Sequence, residues 1–491
     1  MSRYDETFDV IVCGGGTSGV AAAISSARAG AKTLLIERLG TLGGQMNVSG
    51  PPGFAYVRII NCFNEREVGG ILYETYVRLY KAGHALPHLR YRYRAKSGAA
   101  FAYVDPEWWC LLIFKMMEEA GVTLLLDSLV VGVTKEGNTV NGVIVENADG
   151  RNTIKGKIVI DCTGEAYVAM QAGAETVCVS REEVQPHTLA FTADGVDWDR
   201  LLDYVRRNPE EFTPNHVMNP HTGTSPEEYY ELLRNVTDIK ELGELMGFIE
   251  LRDMALANGD WHPYSGVGFF IIPREGGHVQ AHFQHSTHCG NALPTSAWDL
   301  TKANIECRKQ LEIAWRFFKK YVPGFENAYI TRMCTELRLR EGPRIVGDYV
   351  LTRQDVLEAR KFPDAIGKSS FPAGGYHVAS TDTLAVNEDE GSLALPKGSY
   401  DIPYRCLVPV KIDNLLAAGK CVSTDRAAYL RYLQQTMVTG QAAGVASAIC
   451  AQDGITPREL ENDVSKLQSI LIEQGAIIFD TVERENIESW L

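Results

Sequence analysis

The feature that most constrains this chain is a glycine-rich break, Gly14-Gly15-Gly16-Thr17-Ser18-Gly19, set between an apolar run and an alanine-rich stretch. The run before it, Phe8 to Cys13 (FDVIVC), is apolar and β-branched, which suits a strand buried on both faces of a parallel sheet. After it, Val20 to Ala29 suits a helix that Gly30 can close in a left-handed cap, and Lys32 to Glu37 (KTLLIE) supplies a second strand. Strand, glycine loop, helix and strand together make the unit that binds a dinucleotide. Gly14 permits the tight turn, Gly16 lets the backbone approach a pyrophosphate, and Gly19 lets the helix pack closely. The N-terminus of that helix turns amide donors and a partial positive charge toward the phosphates. Glu37, closing the second strand, can accept from both ribose hydroxyls of an adenine dinucleotide and would repel a 2′-phosphate.

Composition narrows the partners. With 491 residues, 45% of them hydrophobic, the chain can bury a large core and is long enough for two or three domains. Its net charge of −14 opposes nucleic acid or an anionic membrane as a partner, so an anionic substrate needs a local arginine cluster. Eleven cysteines are scattered without paired spacing, and neither a disulfide framework nor a zinc, haem or iron–sulfur signature emerges. Redox chemistry would then rest on an organic cofactor. The N-terminal stretch carries no basic region followed by an apolar core and cleavage site, and no long apolar run occurs, so a cytoplasmic location is expected.

From Gly50 to Ala102 the chain is rich in glycine and tyrosine without clear periodicity, and reads as an excursion from the nucleotide unit. A helix is predicted from Asp105 as N-cap, through Pro106 in the first turn, to Ala120 with Gly121 as its stop. Strands TLLLD, LVVGV and NGVIVEN follow, with turns at Gly137 and Asp149-Gly150, and Lys157 to Cys162 brings the chain back to the parallel sheet. Helical stretches (PEEYYELLRNV, LTKANIECRKQLEIAWRFFKKY) then alternate with strand-like runs (GFFIIP, HVQAHFQH), before a late strand (DNLLAA) and a small-residue helix from Gln434 to Ala451. The expected class is α/β. A Rossmann-type domain of parallel sheet plus β-meander would occupy 1–50, 103–175 and 396–460, with an inserted α+β substrate or cap domain over 51–102 and 176–395 and a helical tail over 461–491.

The segment after Glu37 points to one dinucleotide. Arg38 to Gln45 (RLGTLGGQ) resembles the E-x5-GG segment of flavoproteins with the glutathione reductase-type FAD fold, in which paired glycines pass close to the pyrophosphate and the isoalloxazine. IVIDCTGEAYVAMQAGA (158–174) resembles the ATG strand of that superfamily, and IDNLLAAGKC (412–421) its late strand beside the ribityl chain. Over nearly its whole length the sequence is similar to FAD-dependent oxidoreductases related to fumarate reductase and succinate dehydrogenase flavoproteins. The segments carrying that likeness are 107–133, 337–366 and 402–448. The resemblance implies FAD as cofactor, with contacts at Gly14, Gly16, Gly19, Glu37, Gly44, Val131, Thr163, Gly164 and Gly419, joined by Thr17, Ser18, Arg38, Gln45, Thr436 and Met437. It implies no substrate. The first turn of the late helix, placed near Thr436 to Gly440, would aim amide donors at flavin N1 and the C2 carbonyl, while the same small residues offer a packing face to the sheet.

On the substrate side, strand alternation over Glu336-Leu337-Arg338-Leu339-Arg340 puts Glu336, Arg338 and Arg340 on one face, with Arg344 following. Such arginines can bind a carboxylate or place a positive field beside a developing anion; an ion-pair network holding the domains together competes with that reading. His187, in Gln185-Pro186-His187-Thr188, stands where fumarate reductase-like proteins carry a substrate-contacting histidine, and is the foremost catalytic candidate, with Arg340 and Arg344 beside it. His282, His285, His288 and Cys289 cluster in sequence, but on a strand 282 and 285 point oppositely, so no metal site is expected and one histidine is left as a possible acid or base. Tyr376 and His377 are further candidates.

The activity implied is hydride transfer between a small organic substrate and flavin N5. The alternatives are an NAD(P)H- or oxygen-using flavin reductase, oxidase or hydroxylase, and a non-catalytic relay passing electrons to a redox partner protein. No second GxGxxG precedes an acidic strand end, which disfavours an NADPH domain. A homodimer is common in the resembled superfamily.

Overall fold

The apolar run before the glycine loop forms a strand, Thr7–Cys13, with Val10 to Cys13 wholly buried, as a strand covered on both faces must be. The computed structural model describes residues 3–50, 59, 66–90, 100–212, 226–262, 266–374 and 396–480. Thr7–Cys13 pairs in parallel with Thr33–Ile36 on one side and with Gly150–Asp161 on the other. Thr123–Leu125 extends the parallel sheet beyond Thr33–Ile36, and Leu415–Ala417 joins Gly150–Asp161. The meander strands Leu129–Glu136 and Thr139–Asn147 complete seven strands.

Gly150–Asp161 is one continuous strand, where the sequence reading split a hairpin arm from a later parallel strand. Gly150 to Lys155 pairs antiparallel with Thr139–Asn147, and Val159 to Asp161 pairs parallel with Leu415–Ala417. Its burial follows this division: Gly150 to Thr153 stay exposed or half-buried, Ile154 to Lys157 alternate, and the last four residues are all buried. The pattern switches mid-strand because only the second half lies beneath helices on both faces.

The helix after the glycine loop runs Thr17–Arg28, opening earlier than its apolar residues suggest because Gly16 is the N-cap. Pro106–Ala120 is as read from its caps: the Asp105 carboxylate accepts from the Glu107 amide at 3.0 Å, and Gly121 turns left-handed at φ 75°. The aperiodic excursion nevertheless contains a helix, Gly70–Lys81, with Ile71, Leu72, Thr75, Tyr76 and Leu79 buried on one stripe. Tyrosine and threonine on that stripe hid the helical period.

A second sheet is antiparallel throughout, in the order Glu244–Met246, Gly268–Pro273, Val279–Phe283, Phe191–Asp194, Tyr329–Met333. Helix Ala297–Tyr321 covers it, so that Phe317 and Phe318 join Phe191, Phe269 and Phe283 in a separate hydrophobic core. The Phe191 and Phe283 rings stack at 4.4 Å. Among the described residues no helix is long and apolar enough to cross a membrane.

The late helix, Leu433–Asp453, is buried along nearly all its length and lies directly on Thr17–Arg28. The small residues make this approach possible. A Cβ on Gly440 would stand 2.2 Å from the Ser18 carbonyl oxygen, and one on Gly444 2.2 Å from that of Ala22. Gly444→Val must therefore push two helices apart. Urea denaturation should show a loss of about 2–3 kcal/mol, the upper part of the range for overpacking.

Candidate active site

A cavity of about 830 Å³ opens at the carboxyl ends of the parallel strands, bordered by Gly14, Ile36 and Cys162 on one side and by Gln284, His285 and Arg338 from the second sheet's surroundings on the other. Open α/β sheets bind their ligands at this edge.

The glycine loop forms one end. Gly14 takes φ +105°, and a Cβ there would lie 2.6 Å from the Cys162 carbonyl oxygen; one on Gly19 would lie 1.8 Å from the Gly14 carbonyl oxygen. The protein itself demands these two glycines. Gly16 differs: its added Cβ meets no protein atom within 4 Å, so its missing side chain leaves room for something other than protein. Thr17 and Ser18 line the cavity at the start of their helix, and the Thr17 and Thr436 hydroxyls share a hydrogen bond of 2.8 Å. The Glu37 carboxylate, on the same wall, accepts from the Gly15 amide at 2.6 Å and the Leu39 amide at 2.9 Å; burial raises its pKa. These two amides lock its position while each oxygen keeps a further lone pair for a ligand hydroxyl.

Arg38, Gly44, Gln45, Val131, Thr163, Gly164, Gly419 and Thr436 also line the cavity. Gly19 and Met437 do not. Gly19 sits against Gly14, and Met437 is buried in the core around the late helix. That helix begins at Leu433, one residue before the start read from sequence, so its first turn lies ahead of Thr436 to Gly440; Tyr432 before it is extended and donates its amide to the Gln435 side chain at 3.2 Å. The Thr436 amide is already bonded to the Tyr432 carbonyl at 2.9 Å. The first-turn amides that a helix leaves open are therefore those of Leu433 to Gln435, not those of Thr436 to Gly440.

Of the catalytic candidates, Arg340 lines the cavity and His187 and Arg344 do not. His187 is wholly buried, with Nε2 2.8 Å from the Ala292 carbonyl and no partner at Nδ1, which makes it the neutral Nε2–H tautomer. Arg344 donates from Nε to the Thr424 carbonyl at 3.1 Å and lies over the Tyr429 ring. The segment 336–340 is extended but joins no sheet, with one bridge between Thr188 and Arg338. Glu336, Arg338 and Arg340 nonetheless all face the cavity.

The histidine cluster disperses. His282 is buried beside the Thr192 hydroxyl at 3.2 Å, the His288 amide donates to Gln310, and His285 alone of the three reaches the cavity. Its Nδ1 lies 3.1 Å from Arg340 Nη2, and burial together with Arg340 and Arg338 holds it well below the usual imidazole range. Among the described residues no three metal-ligating side chains converge. Tyr376 and His377 lie outside the described residues. Sequence reasoning passed over Gln284, Arg431 and the ion-paired Lys420 and Glu165, all on the cavity wall. Only the position of Lys420 directly after Gly419 offered a signal.

The chain matches the family described as FAD dependent oxidoreductase over residues 9–471. It is similar to a digeranylgeranylglycerophospholipid reductase of Thermoplasma acidophilum, 27% identical over 186 residues, which is 36% of this chain and 45% of that protein. It is also similar to a leghemoglobin reductase of Glycine max, 31% identical over 172 residues, 33% of this chain and 28% of that one. The matches thus span less than half the length of these relatives. Among solved structures, a geranylgeranyl bacteriochlorophyll reductase-like protein from Thermoplasma acidophilum superposes with a TM-score of 0.43 at 14% identity, covering 96% of this chain and 84% of that one.

Burial of neutral histidines gives the fold a pH dependence. His187 and His88 are each pushed from 6.5 to about 4 by desolvation. Between those values the unfolded chain binds protons that the folded chain refuses, so stability falls as pH drops from 6.5 toward 4. Each group contributes on the order of 3 kcal/mol to the loss across that window. In urea denaturation at stepped pH, His187→Gln should flatten the decline, whereas a slope equal to the parent's would show that His187 titrates normally.

Proposed function

The chain belongs to the family of FAD dependent oxidoreductases, and from that premise we propose that it transfers a hydride between a small organic substrate and N5 of the flavin. The observation that carries this reading is the cavity's construction: a dinucleotide cradle at one end opens without a break into a wall of arginines and a histidine at the other. The kinship to fumarate reductase flavoproteins, carried by segments 337–366 and 402–448, belongs to the same proposal.

Bound FAD supplies a two-electron centre that accepts or gives a hydride. The remaining work falls to the chain. Gly16 leaves the phosphates room, Thr17 and Ser18 meet them at a helix N-terminus, and Glu37 takes the ribose. The positive end of the late helix faces the cavity at Tyr432, Leu433 and Thr436 and favours negative charge that develops there. Arg340 takes the role that sequence reading gave to an arginine and supports charge that develops on the substrate, and the neutral His285 imidazole beside it adds no positive charge of its own.

Two measurements test this. Absorbance spectra before and after acid precipitation should show a flavin band released from the protein, and anaerobic titration with carboxylic acids, sugars and amines should find a compound that bleaches it. A colourless protein that cannot be reconstituted with FAD would overturn the proposal. Gly16→Ala separates cradle from scaffold: the apoprotein should melt as the parent does, since the new methyl meets no protein atom, while FAD affinity falls at least about tenfold.

A further inference from the structure

We propose that the cavity wall furnished by the second sheet's surroundings is an anion subsite, built on Arg338 with Arg340 and Arg431 beside it, that takes a carboxylate of the substrate. This rests on the FAD reading above and adds the chemical class of the molecule that the flavin meets.

Charge pairing on the wall is the argument. Among the described residues the cavity is lined by five cationic side chains and three carboxylates. All three carboxylates are occupied: Glu165 pairs with Lys420, Glu336 pairs with Arg38, and Glu37 accepts from two backbone amides. Arg338 and Arg431 have no carboxylate partner among the described residues. Arg338 is 6% exposed; its Nη1 donates to Gln284 Oε1 at 2.9 Å, its Nη2 donates to the Gly50 carbonyl, and its buried Nε has no acceptor. Arg431 donates to Gln185 Oε1 at 2.8 Å and to the Arg340 carbonyl; against desolvation, the Tyr432 side chain and the charge of Glu341, itself paired with Arg426, raise its pKa, so the unmet charge is centred on Arg338. A guanidinium buried with neutral acceptors alone is costly, and such charges are normally paired. Desolvation pushes Arg338 down to about 10, as expected of a guanidinium buried among neutral acceptors.

The surroundings favour an acceptor as well. Because Arg338 donates to Gln284 Oε1, the Gln284 Nε2 is turned to His285 Nε2, at 2.9 Å, while Arg340 Nη2 stands 3.1 Å from Nδ1. The neutral ring can accept from only one of these two donors, and a second ring proton would leave it accepting from neither, so the imidazole stays neutral in the free protein. The histidine therefore leaves the arginine charge for a ligand instead of adding to it unpaired. The cofactor's own phosphates belong at the other end, where Gly14, Gly16 and Thr17 open the first helix. Arg338 is instead anchored to Gly50 and Gln284, and its main chain bridges Thr188.

The test titrates the FAD-loaded protein with acetate, succinate and benzoate, with the matching amides, and with inorganic phosphate, reading the flavin difference spectrum and the thermal midpoint. Carboxylates should perturb both saturably and amides should not; a response to phosphate alone overturns the carboxylate assignment. Arg338→Gln should weaken carboxylate binding at least tenfold with FAD content retained, and Arg431→Gln provides the same readout should the Arg338 variant fail to fold. An Arg338→Gln protein that loses FAD affinity but keeps the parent's carboxylate response would assign the charge to the cofactor and sink the subsite. If the protein takes up no FAD at all, the flavin reading fails separately. The thermal shift of the apoprotein with succinate then decides the subsite by itself.

Discussion

Everything in this molecule depends on a place where three stretches of backbone pack so closely that glycine is required on each. The Gly14 carbonyl lies where a Cβ of Gly19 would be, the Ser18 carbonyl lies where a Cβ of Gly440 would be, and the Ser18 side chain occupies the space a Cβ of Gly419 would need. This close approach aims the open amides of the first helix along the carboxyl edge of the sheet. It also presses the late helix onto the first, bringing Thr436 within hydrogen-bonding distance of Thr17. The cradle and the scaffold are one structure, so the cavity is held in shape by the packing that stabilises the parallel sheet.

Charge is distributed with the same economy. At the nucleotide end a carboxylate is fixed by amides, and at the opposite wall arginines are fixed by neutral oxygens of Gly50, Gln284 and Gln185. Glu341, wholly buried, pairs with Arg426 and receives the Gln185 amide, which sets the Gln185 side chain for Arg431. The cavity therefore holds Arg338 rigidly without neutralising it, a preorganised field of the kind that stabilises charge during a reaction. The buried histidines are kept neutral by the same low-dielectric surroundings, which is why His187, foremost in sequence, is a structural group bonded to Ala292.

The glycine loop, its flanking strands, the caps of Pro106–Ala120 and the small-residue character of the late helix were legible because each is set by local rules: steric freedom at glycine, apolar runs for doubly covered strands, and a carboxylate before a helix start. Helix Gly70–Lys81 was not legible, since tyrosines on its buried stripe disguised its period. The first turn of the late helix was placed too far along, near Thr436, because Tyr432 is no usual N-cap. The substrate wall was legible only in part. Arginine spacing in 336–340 named the right residues, yet their common exposure to the cavity comes from an extended segment running between Gly50 and Gln284, not from sheet alternation.

By itself, then, the amino-acid sequence determined a βαβ unit with a glycine loop at its turn, and the resemblance of the residues after Glu37 to flavoproteins pointed to FAD, because both signals lie within short stretches of chain. Tertiary structure alone decided which of several histidines and arginines share a cavity. His285, Arg338, Arg431 and Lys420 come from separate segments, and their charges meet only when two hydrophobic cores close on each other, so no spacing along the chain could announce it.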